Sequence, residues 1–279
     1  MLKTPAVNKG IKNRRTYSNG CVSEYLGCHI YEYLGFKTQE THLVPYTING
    51  QEKLCVLCKD FEEENKKLFK FSEIKNSIID GSLNGYGVEL DEVLQTLEEQ
   101  TIYNQECLKE FFWKMFVVDA FLGIYDRHNG NWGFLLDEKN QTAEIAPIYD
   151  CGSCLYPQTE KDNMKKILND VSEIEKRIFI FPNSALKING NKINYYDFIS
   201  SNICPECTKA FLNIYPYINM EDIKVIIYNT PYISDIEKEF YATMLYERKE
   251  KIFEKCHEIL KNEREIDIHD KNRQVCMER

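Results

Sequence analysis

Three polar residues in the middle of the chain have the types and the spacing that phosphoryl transfer from ATP requires. Asp126 and Asn131 lie five residues apart in the loop YDRHNGN (125–131), and Asp150 follows an apolar hairpin. In this chemistry one carboxylate orients the attacking hydroxyl and accepts its proton, while an amide oxygen and a second carboxylate hold Mg²⁺ on the phosphates. The spacing therefore predicts Asp126 as the base and Asn131 and Asp150 as Mg²⁺ ligands.

The same loop has a structural interpretation, because Asp and Asn commonly stabilise surface turns. The functional interpretation is favoured, because the loop lies between a predicted buried helix and an apolar hairpin. Polar groups without a partner in such surroundings cost free energy, and ordered loops commonly carry function. Asp119, within that helix, is expected to accept hydrogen bonds from the loop, either from Arg127 or from backbone amides. His128 is counted among the candidate nucleotide contacts, although fixing the loop is its favoured role.

The chemistry also needs a cation on the nucleotide phosphates and a glutamate that holds this cation in place. Lys3 follows two apolar residues, as a residue near a strand end would, and Glu24 lies on the first predicted helix. Taken alone, these two residues are a weak signal, because a lysine near a terminus and a glutamate on a helix are usually solvated.

Several distant segments must come together to position these residues. Apolar residues at helical spacing predict a helix over 22–34, with Ser18 and Asn19 as candidate N-terminal caps. Strands are expected over 40–47 and 53–58, separated by an Asn-Gly pair that is typical of a tight hairpin turn. The first part of the chain therefore reads as a small unit with both strands and a helix.

The next elements are mostly helical and lead into the loop. Helices are expected over 86–97 and 105–123, and the second is apolar on nearly all sides, which predicts a buried position. The strands 132–136 and 143–149 form a predicted hairpin that returns the chain to Asp150.

The acidic, lysine-rich stretch 62–67 is interpreted as an exposed connection between two lobes. Near the end of the chain, a helix is expected over 164–174, and another begins at Ser234, where Glu237 completes a capping box. The predicted organisation is an N-terminal lobe, a helical C-terminal lobe and a charged tail, at residues 1–62, 63–260 and 261–279.

Composition limits the classes of protein that fit the chain. It has 279 residues, 43% of them apolar, with 35 basic and 44 acidic side chains and a net charge of −9. This acidic excess argues against direct binding of nucleic acid or anionic lipid. The longest apolar stretch, 111–124, is shorter than a membrane helix requires, and no signal peptide is expected. A cytoplasmic protein is predicted, with export by a route without a signal peptide left open.

Eleven cysteines in such a chain are interpreted as reduced thiols. Three C-x-x-C pairs occur, at Cys55/Cys58, Cys151/Cys154 and Cys204/Cys207. The last pair is the best metal candidate, but no histidine is close in sequence, so buried packing is the favoured role for all three.

Longer stretches of the sequence resemble the HipA-like serine/threonine kinases, from residue 1 to about residue 260. They are LKTP (2–5), NGCVSEYLGCHI (19–30), LGFKTQET (34–41), CKDF (58–61), FFWKMFVVDAFLGIYDRHNGNWGF (111–134), IAPIYDCGSCLYP (145–157) and KINYYDF (192–198). The DRHxxN loop also occurs in phosphoinositide kinases, so the loop alone does not identify the phosphate acceptor.

The resemblance implies an α+β fold of the two-lobed protein-kinase type, with a small β-containing N-lobe and a larger, mostly helical C-lobe. Asp126 then corresponds to the catalytic aspartate, Lys3 to the lysine on the nucleotide phosphates and Glu24 to the helix glutamate paired with it. The Mg²⁺ ligands are the same two residues that the spacing predicts. The hinge whose backbone meets adenine corresponds to Cys58, Lys59, Asp60 and Phe61.

In the family, further strands and a phosphate-covering loop precede the nucleotide lysine, so the N-lobe is expected to be incomplete here. The leading hypothesis is a kinase that uses ATP and Mg²⁺ to phosphorylate Ser or Thr of a protein, itself included. The alternatives are an impaired pseudokinase that acts as an interaction protein, and a kinase for phosphoinositides or small molecules. Some HipA-like kinases have an antitoxin partner, so the resemblance leaves open an antitoxin-like or other protein partner for this chain.

Overall fold

A three-stranded antiparallel sheet lies near the N-terminus in the computed structural model, which describes residues 1–5, 19–79 and 83–262. Its strands are β1 (Leu2–Lys3), β2 (Thr41–Ile48) and β3 (Gln51–Cys58), in the order β1-β3-β2. Asn49 and Gly50 join β2 to β3 with φ angles of +51° and +76°. Two positive φ angles are typical of a type I′ turn, so the predicted hairpin is confirmed.

Helix α1 (Gly20–Tyr33) packs on this sheet, close to its predicted position. Cys21 on the helix contacts a small apolar cluster formed by Leu43, Val56 and Cys58. Asn19 occupies the N-cap position but makes no capping hydrogen bond, because its side-chain amide donates to the Thr159 carbonyl oxygen at 2.6 Å. A tertiary contact thus replaces the predicted cap, and Ser18, the other candidate, lies outside the described residues.

A second antiparallel sheet contains β4 (Lys66–Lys70), β5 (Gly133–Asp137) and β6 (Thr142–Ile145), in the order β4-β5-β6. The predicted hairpin of β5 and β6 is confirmed, although its second strand ends at Ile145, four residues before the predicted end at 149. The prediction of an exposed connection over 62–67 is wrong for Lys66 and Lys67, which pair with β5. Three lysines in five residues hide the strand, because their aliphatic stems cover the sheet while their charges stay in water.

The rest of the described chain is mainly helical. The helices are α2 (Phe71–Ile78), α3 (Leu90–Glu99), α4 (Gln105–Leu122), α5 (Lys161–Leu168), α6 (Val171–Glu175), α7 (Tyr195–Ser200), α8 (Pro205–Ile214), α9 (Met220–Tyr228) and α10 (Asp235–Arg248). Wider helical turns cover Lys176–Ile180 and Lys249–Glu254, a tighter turn covers Tyr215–Tyr217, and a short hairpin joins β7 (Lys187–Ile188) to β8 (Asn191–Lys192).

Helix α4 forms the centre of the helical body, as its sequence predicts. Its C-terminal half is buried, and the side chain of Asn104 caps its start by accepting from the Cys107 amide at 2.9 Å. Gly123 ends the helix with a φ angle of +70°, a conformation that glycine adopts without strain. The helix therefore delivers the chain directly into the loop that begins at Tyr125.

Two helix predictions are corrected. The helix expected over 86–97 begins only at Leu90, and the helix expected over 164–174 is divided into α5 and α6. The division occurs at Asp170, whose carboxylate accepts from the Ser172 amide at 2.9 Å and so starts a new helix.

The capping box at the start of α10 is confirmed, with the Ser234 amide donating to Glu237 Oε2 at 2.7 Å. Among the described helices, none combines the length and the apolar character needed to cross a bilayer. The lobe boundary at residue 62 stays a prediction, and most of the predicted tail lies outside the described residues.

Candidate active site

Lys3, Glu24 and Asp150 meet in one polar cluster, although 147 positions separate the first residue from the last. The Lys3 ammonium lies 3.1 Å from Glu24 Oε1 and 3.0 Å from Asp150 Oδ1. The backbone amide of Asp150 also donates to Glu24 Oε1, at 3.0 Å. Strand β1, helix α1 and the segment after β6 are therefore joined by their charged groups.

Burial and charge act against each other in this cluster. Burial of Glu24 raises the pKa of its carboxyl, and the charge of Lys3 opposes that rise. Burial alone would lower the pKa of Lys3, but the two carboxylates outweigh it and raise this pKa above its ordinary value. Lys3 consequently stays charged at every physiological pH. Glu24 Oε2 is buried and has no hydrogen-bond partner among the described residues.

The segment that leads to Asp150 is fixed by backbone hydrogen bonds. After β6 the chain runs beside residues 37–39, where the Ile148 amide donates to Lys37 O and the Gln39 amide donates to Ile148 O, both at 2.8 Å. Asp150 itself has a φ angle of +57°, an unfavourable backbone conformation for a residue with a side chain. Strain of this kind persists where the surrounding structure enforces it, and it is common at functional sites.

The loop after α4 brings Asp126 and Asn131 to the same place. The loop turns through two backbone hydrogen bonds of 2.9 Å, from the His128 amide to Asp126 O and from the Asn131 amide to His128 O. The Asn131 side-chain nitrogen donates to Asp126 O, also at 2.9 Å. This orientation leaves the side-chain oxygen of Asn131 as the atom that can bind a metal ion.

Arg127 connects this loop to its surroundings and is almost fully buried. Its guanidinium donates to Asn131 O at 3.0 Å and to Tyr149 O at 2.7 Å, and it pairs with the Asp119 carboxylate at 3.1 Å. The Tyr31 hydroxyl donates to the same carboxylate at 2.6 Å. The expectation that Asp119 accepts from Arg127 is confirmed. The hydrogen bond from Tyr31 to Asp119 was not predicted, because nothing in the sequence links these two distant positions.

Two further residues hold the loop. Asn129 donates to Gly85 O at 2.8 Å and to Gly87 O at 2.7 Å, and the Tyr149 hydroxyl donates to Gly130 O at 3.0 Å. His128 accepts from the Gly130 amide through Nδ1, at 3.1 Å. The hydrogen bond of the His128 ring is thus within the loop, and the ring also contacts that of Tyr86 at 5.7 Å between centroids.

A cavity of about 190 Å³ lies over the polar cluster. Five of the predicted site residues line it together: Lys3, Glu24, Asp126, Asn131 and Asp150. The remaining lining residues are Thr4, Pro5, Gly20, Cys21, Val56, Gly152 and Ser153. We call this space the nucleotide cavity below.

The other predicted site residues lie elsewhere. Cys58 is buried beneath α1, and His128 does not line the nucleotide cavity. The hinge residues Lys59, Asp60 and Phe61 line a separate cavity of about 440 Å³. The ring of Phe61 contacts that of Tyr149 at 5.6 Å between centroids, so this segment lies near the residue before Asp150.

The cysteine pairs show no ligand set for a metal. Within the described part of the chain, no three His, Cys, Asp or Glu side chains form a cluster that could bind a metal ion. Cys204 is the N-cap residue of α8, Cys207 is buried, and the pairs Cys55/Cys58 and Cys151/Cys154 are buried as well.

The chain is similar to known proteins in sequence and in structure. No protein-family model matches the chain. The serine/threonine-protein kinase CtkA of Helicobacter pylori (strain J99 / ATCC 700824) is 47% identical over 243 residues, which cover 87% of this chain and 74% of CtkA. The crystal structure of a Helicobacter pylori proinflammatory kinase CtkA superposes with a TM-score of 0.84 at 45% identity, covering 93% of this chain and 87% of that one.

A more distant structure is that of HipA from Shewanella oneidensis MR-1, in complex with HipB and operator DNA. It has a TM-score of 0.55 at 14% identity, with 86% of this chain and 57% of the other covered, so it shows the fold alone. Together these similarities confirm the predicted α+β, two-lobed kinase-like fold. The chain belongs to the HipA-like serine/threonine kinase family that includes CtkA.

Proposed function

We propose that the chain is a protein kinase that transfers the γ-phosphate of ATP to Ser or Thr hydroxyls in a Mg²⁺-dependent reaction, with itself among the acceptors. The observation that carries this proposal is the position of Lys3, which spans Glu24 and Asp150 in a cavity that Asp126 and Asn131 also line. A lysine held by a helix glutamate beside a metal-binding aspartate is the arrangement that positions ATP phosphates in protein kinases.

The residues present suit Mg²⁺ and ATP. An amide oxygen from Asn131 and a carboxylate from Asp150 form the hard oxygen donor set that Mg²⁺ prefers. Bound Mg²⁺ would neutralise charge on the phosphates. The unpaired oxygen of buried Glu24 faces a space beside Gly152, where a Cβ atom would lie 3.2 Å from it. A side chain at residue 152 would therefore occupy the space beside Glu24 in the nucleotide cavity.

Each residue has a distinct task in the proposed reaction. Lys3 binds the phosphates, and Glu24 holds Lys3 in place. Asp126 orients the acceptor hydroxyl and takes its proton as the acceptor oxygen bonds to the γ-phosphorus and ADP leaves. Arg127 keeps Asn131 and the residue before Asp150 at a fixed separation.

Titration calorimetry with ATP, with and without Mg²⁺, combined with an assay of phosphate transfer to protein, tests this function. Asp150→Ala is expected to abolish Mg²⁺-dependent nucleotide binding. Asp126→Ala is expected to bind Mg²⁺-ATP within about threefold of the parent while transfer falls by about 10³-fold, the usual loss when a positioned base is removed.

Asp162→Ala, at an exposed position on α5, is the matched control and should change neither quantity. Transfer at the parent rate by the Asp126→Ala variant would overturn the assignment of the base. Nucleotide binding without transfer to any protein would favour the pseudokinase, and transfer to phosphoinositides alone would favour a lipid kinase. An antitoxin-like partner stays a prediction from the family resemblance.

A further inference from the structure

A second cavity, of about 460 Å³, opens beside the start of the catalytic loop. It is lined by Tyr125, residues 156–159, Arg177, residues 181–183 and Lys192. We call this cavity the basic groove. Its walls come from the catalytic loop, from the chain that follows Asp150, and from the segments after α6 and on β8.

The basic groove and the nucleotide cavity are lined by neighbouring parts of the chain. Tyr125 in the groove is the neighbour of Asp126 in the nucleotide cavity. Asn19, next to Gly20 of the nucleotide cavity, donates from its backbone to Pro157 O at 2.9 Å and from its side chain to Thr159 O at 2.6 Å. A molecule bound in the groove would therefore lie next to the proposed base.

The wall that follows Asp150 is held in one conformation. Leu155 and Tyr156 have φ angles of +53° and +58°, which cost free energy in residues with side chains. The Tyr156 hydroxyl donates to the Arg177 carbonyl oxygen and accepts from the Arg248 guanidinium at 2.6 Å. These contacts keep the strained segment in place, so the groove is preorganised for a ligand.

The charge of the groove is opposite to that of the whole chain. Its described lining includes the cations Arg177 and Lys192 and contains no carboxylate, whereas the chain carries a net charge of −9. Arg177 is paired with Glu173 at 2.7 Å. Lys192 is exposed and forms no ion pair with any described residue, so its charge is available to a ligand.

The groove also has surfaces suited to polypeptide. The Arg177 guanidinium lies 5.7 Å from the centre of the Phe181 ring, which is 41% exposed, and Gln158 donates to the Tyr125 hydroxyl at 2.7 Å. An aromatic ring and side-chain hydrogen-bonding groups beside a free cation are typical of a surface that binds a peptide with acidic side chains.

We propose that the basic groove binds the polypeptide segment that carries the accepting hydroxyl, and that Lys192 selects acidic side chains near that hydroxyl. The inference deepens the proposed function and rests on it for the transfer step, but binding in the groove can be measured without turnover.

Fluorescence anisotropy with two matched, labelled Ser peptides, flanked either by glutamates or by lysines, tests the proposal. We expect the parent chain to bind the acidic peptide more tightly, although its net charge favours the basic one. Lys192→Glu should weaken binding of the acidic peptide by about tenfold. Lys139→Glu makes the same charge change at an exposed position on the β5–β6 turn and should alter binding by less than about twofold.

Equal losses in both charge-reversal variants would show an effect of net charge and would overturn the groove. Tighter binding of the basic peptide than of the acidic one would also overturn the proposed role of the groove. Binding to phosphoinositide-containing vesicles and to neither peptide would overturn it as well. Acidic-peptide binding that depends on Lys192 but is followed by no transfer would overturn only the kinase function. Transfer to Ser peptides without an acidic preference would overturn only the groove.

Discussion

The guanidinium of Arg127 contacts three segments around the candidate active site. It binds the carbonyl oxygens of Asn131 and Tyr149 and the carboxylate of Asp119 on α4. Since one planar group spans both proposed metal-binding segments, its geometry sets their separation. A lysine at this position would keep the charge but could not reach all three partners.

Arg127→Lys tests this positioning role. We expect kcat to fall at least about tenfold with KM for ATP changed by less than about threefold, because the misplaced groups act in the transition state. Stability should fall by about 2 kcal/mol, since buried carbonyl oxygens lose their donor. Steady-state kinetics and urea unfolding measure the two effects.

Tyr31→Phe is the matched control, since it removes the hydroxyl that donates to Asp119 and to the Met115 carbonyl oxygen but leaves the hydrogen bonds of Arg127 in place. It should cost about 1 kcal/mol of stability and leave kcat within about threefold. An equal fall of kcat in both variants would contradict a special role for Arg127.

At residue scale the spacing of Asp126 and Asn131 indicated the loop, and the predicted hairpin indicated that Asp150, the other proposed metal ligand, returns to it. The pairing of Lys3 with Glu24 depends on how β1 lies against α1, and only the family resemblance indicated it. The left-handed backbone of Asp150 and the hydroxyl of Tyr31 arise from tertiary contacts between distant segments, which composition and periodicity do not encode.

At the scale of elements, α1 and the segment after Asp150 approach closely at Gly27. A Cβ atom at Gly27 would lie 2.5 Å from Cys151 Cβ, which is shorter than van der Waals contact. The same helix carries Glu24, which accepts from the Asp150 amide. The absent side chain at residue 27 therefore sets the distance between Glu24 and the segment that contains Asp150.

Gly27→Ala is expected to lower stability by about 1–3 kcal/mol, because the extra methyl group overpacks this contact. Helix propensity alone predicts the opposite sign, a gain of about 1 kcal/mol. Affinity for Mg²⁺-ATP should fall as well, since α1 must move away from Asp150. Urea unfolding and calorimetry give both values.

Glu32→Ala, at an exposed position on the same helix, should change stability by less than about 0.5 kcal/mol. A stabilised Gly27→Ala variant with parental nucleotide affinity would show that α1 and the segment after Asp150 can separate without cost.

Elements with a strong local signal were predicted well. The β2–β3 hairpin has its Asn-Gly turn, α4 has its apolar run and terminal glycine, and α10 has its capping box. Strand β4 was missed because its lysines conceal the alternation, and the break between α5 and α6 was missed because Asp170 serves as a cap inside an apparently continuous pattern. The first failure comes from the packing of the lysine stems on the sheet, and the second comes from a local cap that the apolar spacing masks.

At the scale of the whole molecule, the charged cluster joins the N-terminal sheet to the segment that follows the second sheet, and it affects global stability. Lys3 lies on β1, and Asp150 follows β6. Glu24 lies between them with a carboxyl pKa that burial raises. A raised folded-state pKa means that the folded chain binds this proton more tightly than the unfolded chain does. Ionisation of Glu24 therefore lowers the free energy of unfolding of the parent chain at neutral pH.

Glu24→Gln removes this destabilising carboxylate, and we expect it to raise stability at neutral pH while lowering nucleotide affinity. Because the folded pKa of Glu24 exceeds the unfolded one, its contribution to stability falls as pH rises from the unfolded value through the folded value. The variant has no such titration, so its stability relative to the parent should be greater at pH 7 than at pH 4, as urea unfolding at both pH values would measure. Affinity for Mg²⁺-ATP should nevertheless fall, because Lys3 loses a charged partner. The opposite pH trend would show that Lys3 holds this carboxylate ionised more strongly than burial disfavours its charge.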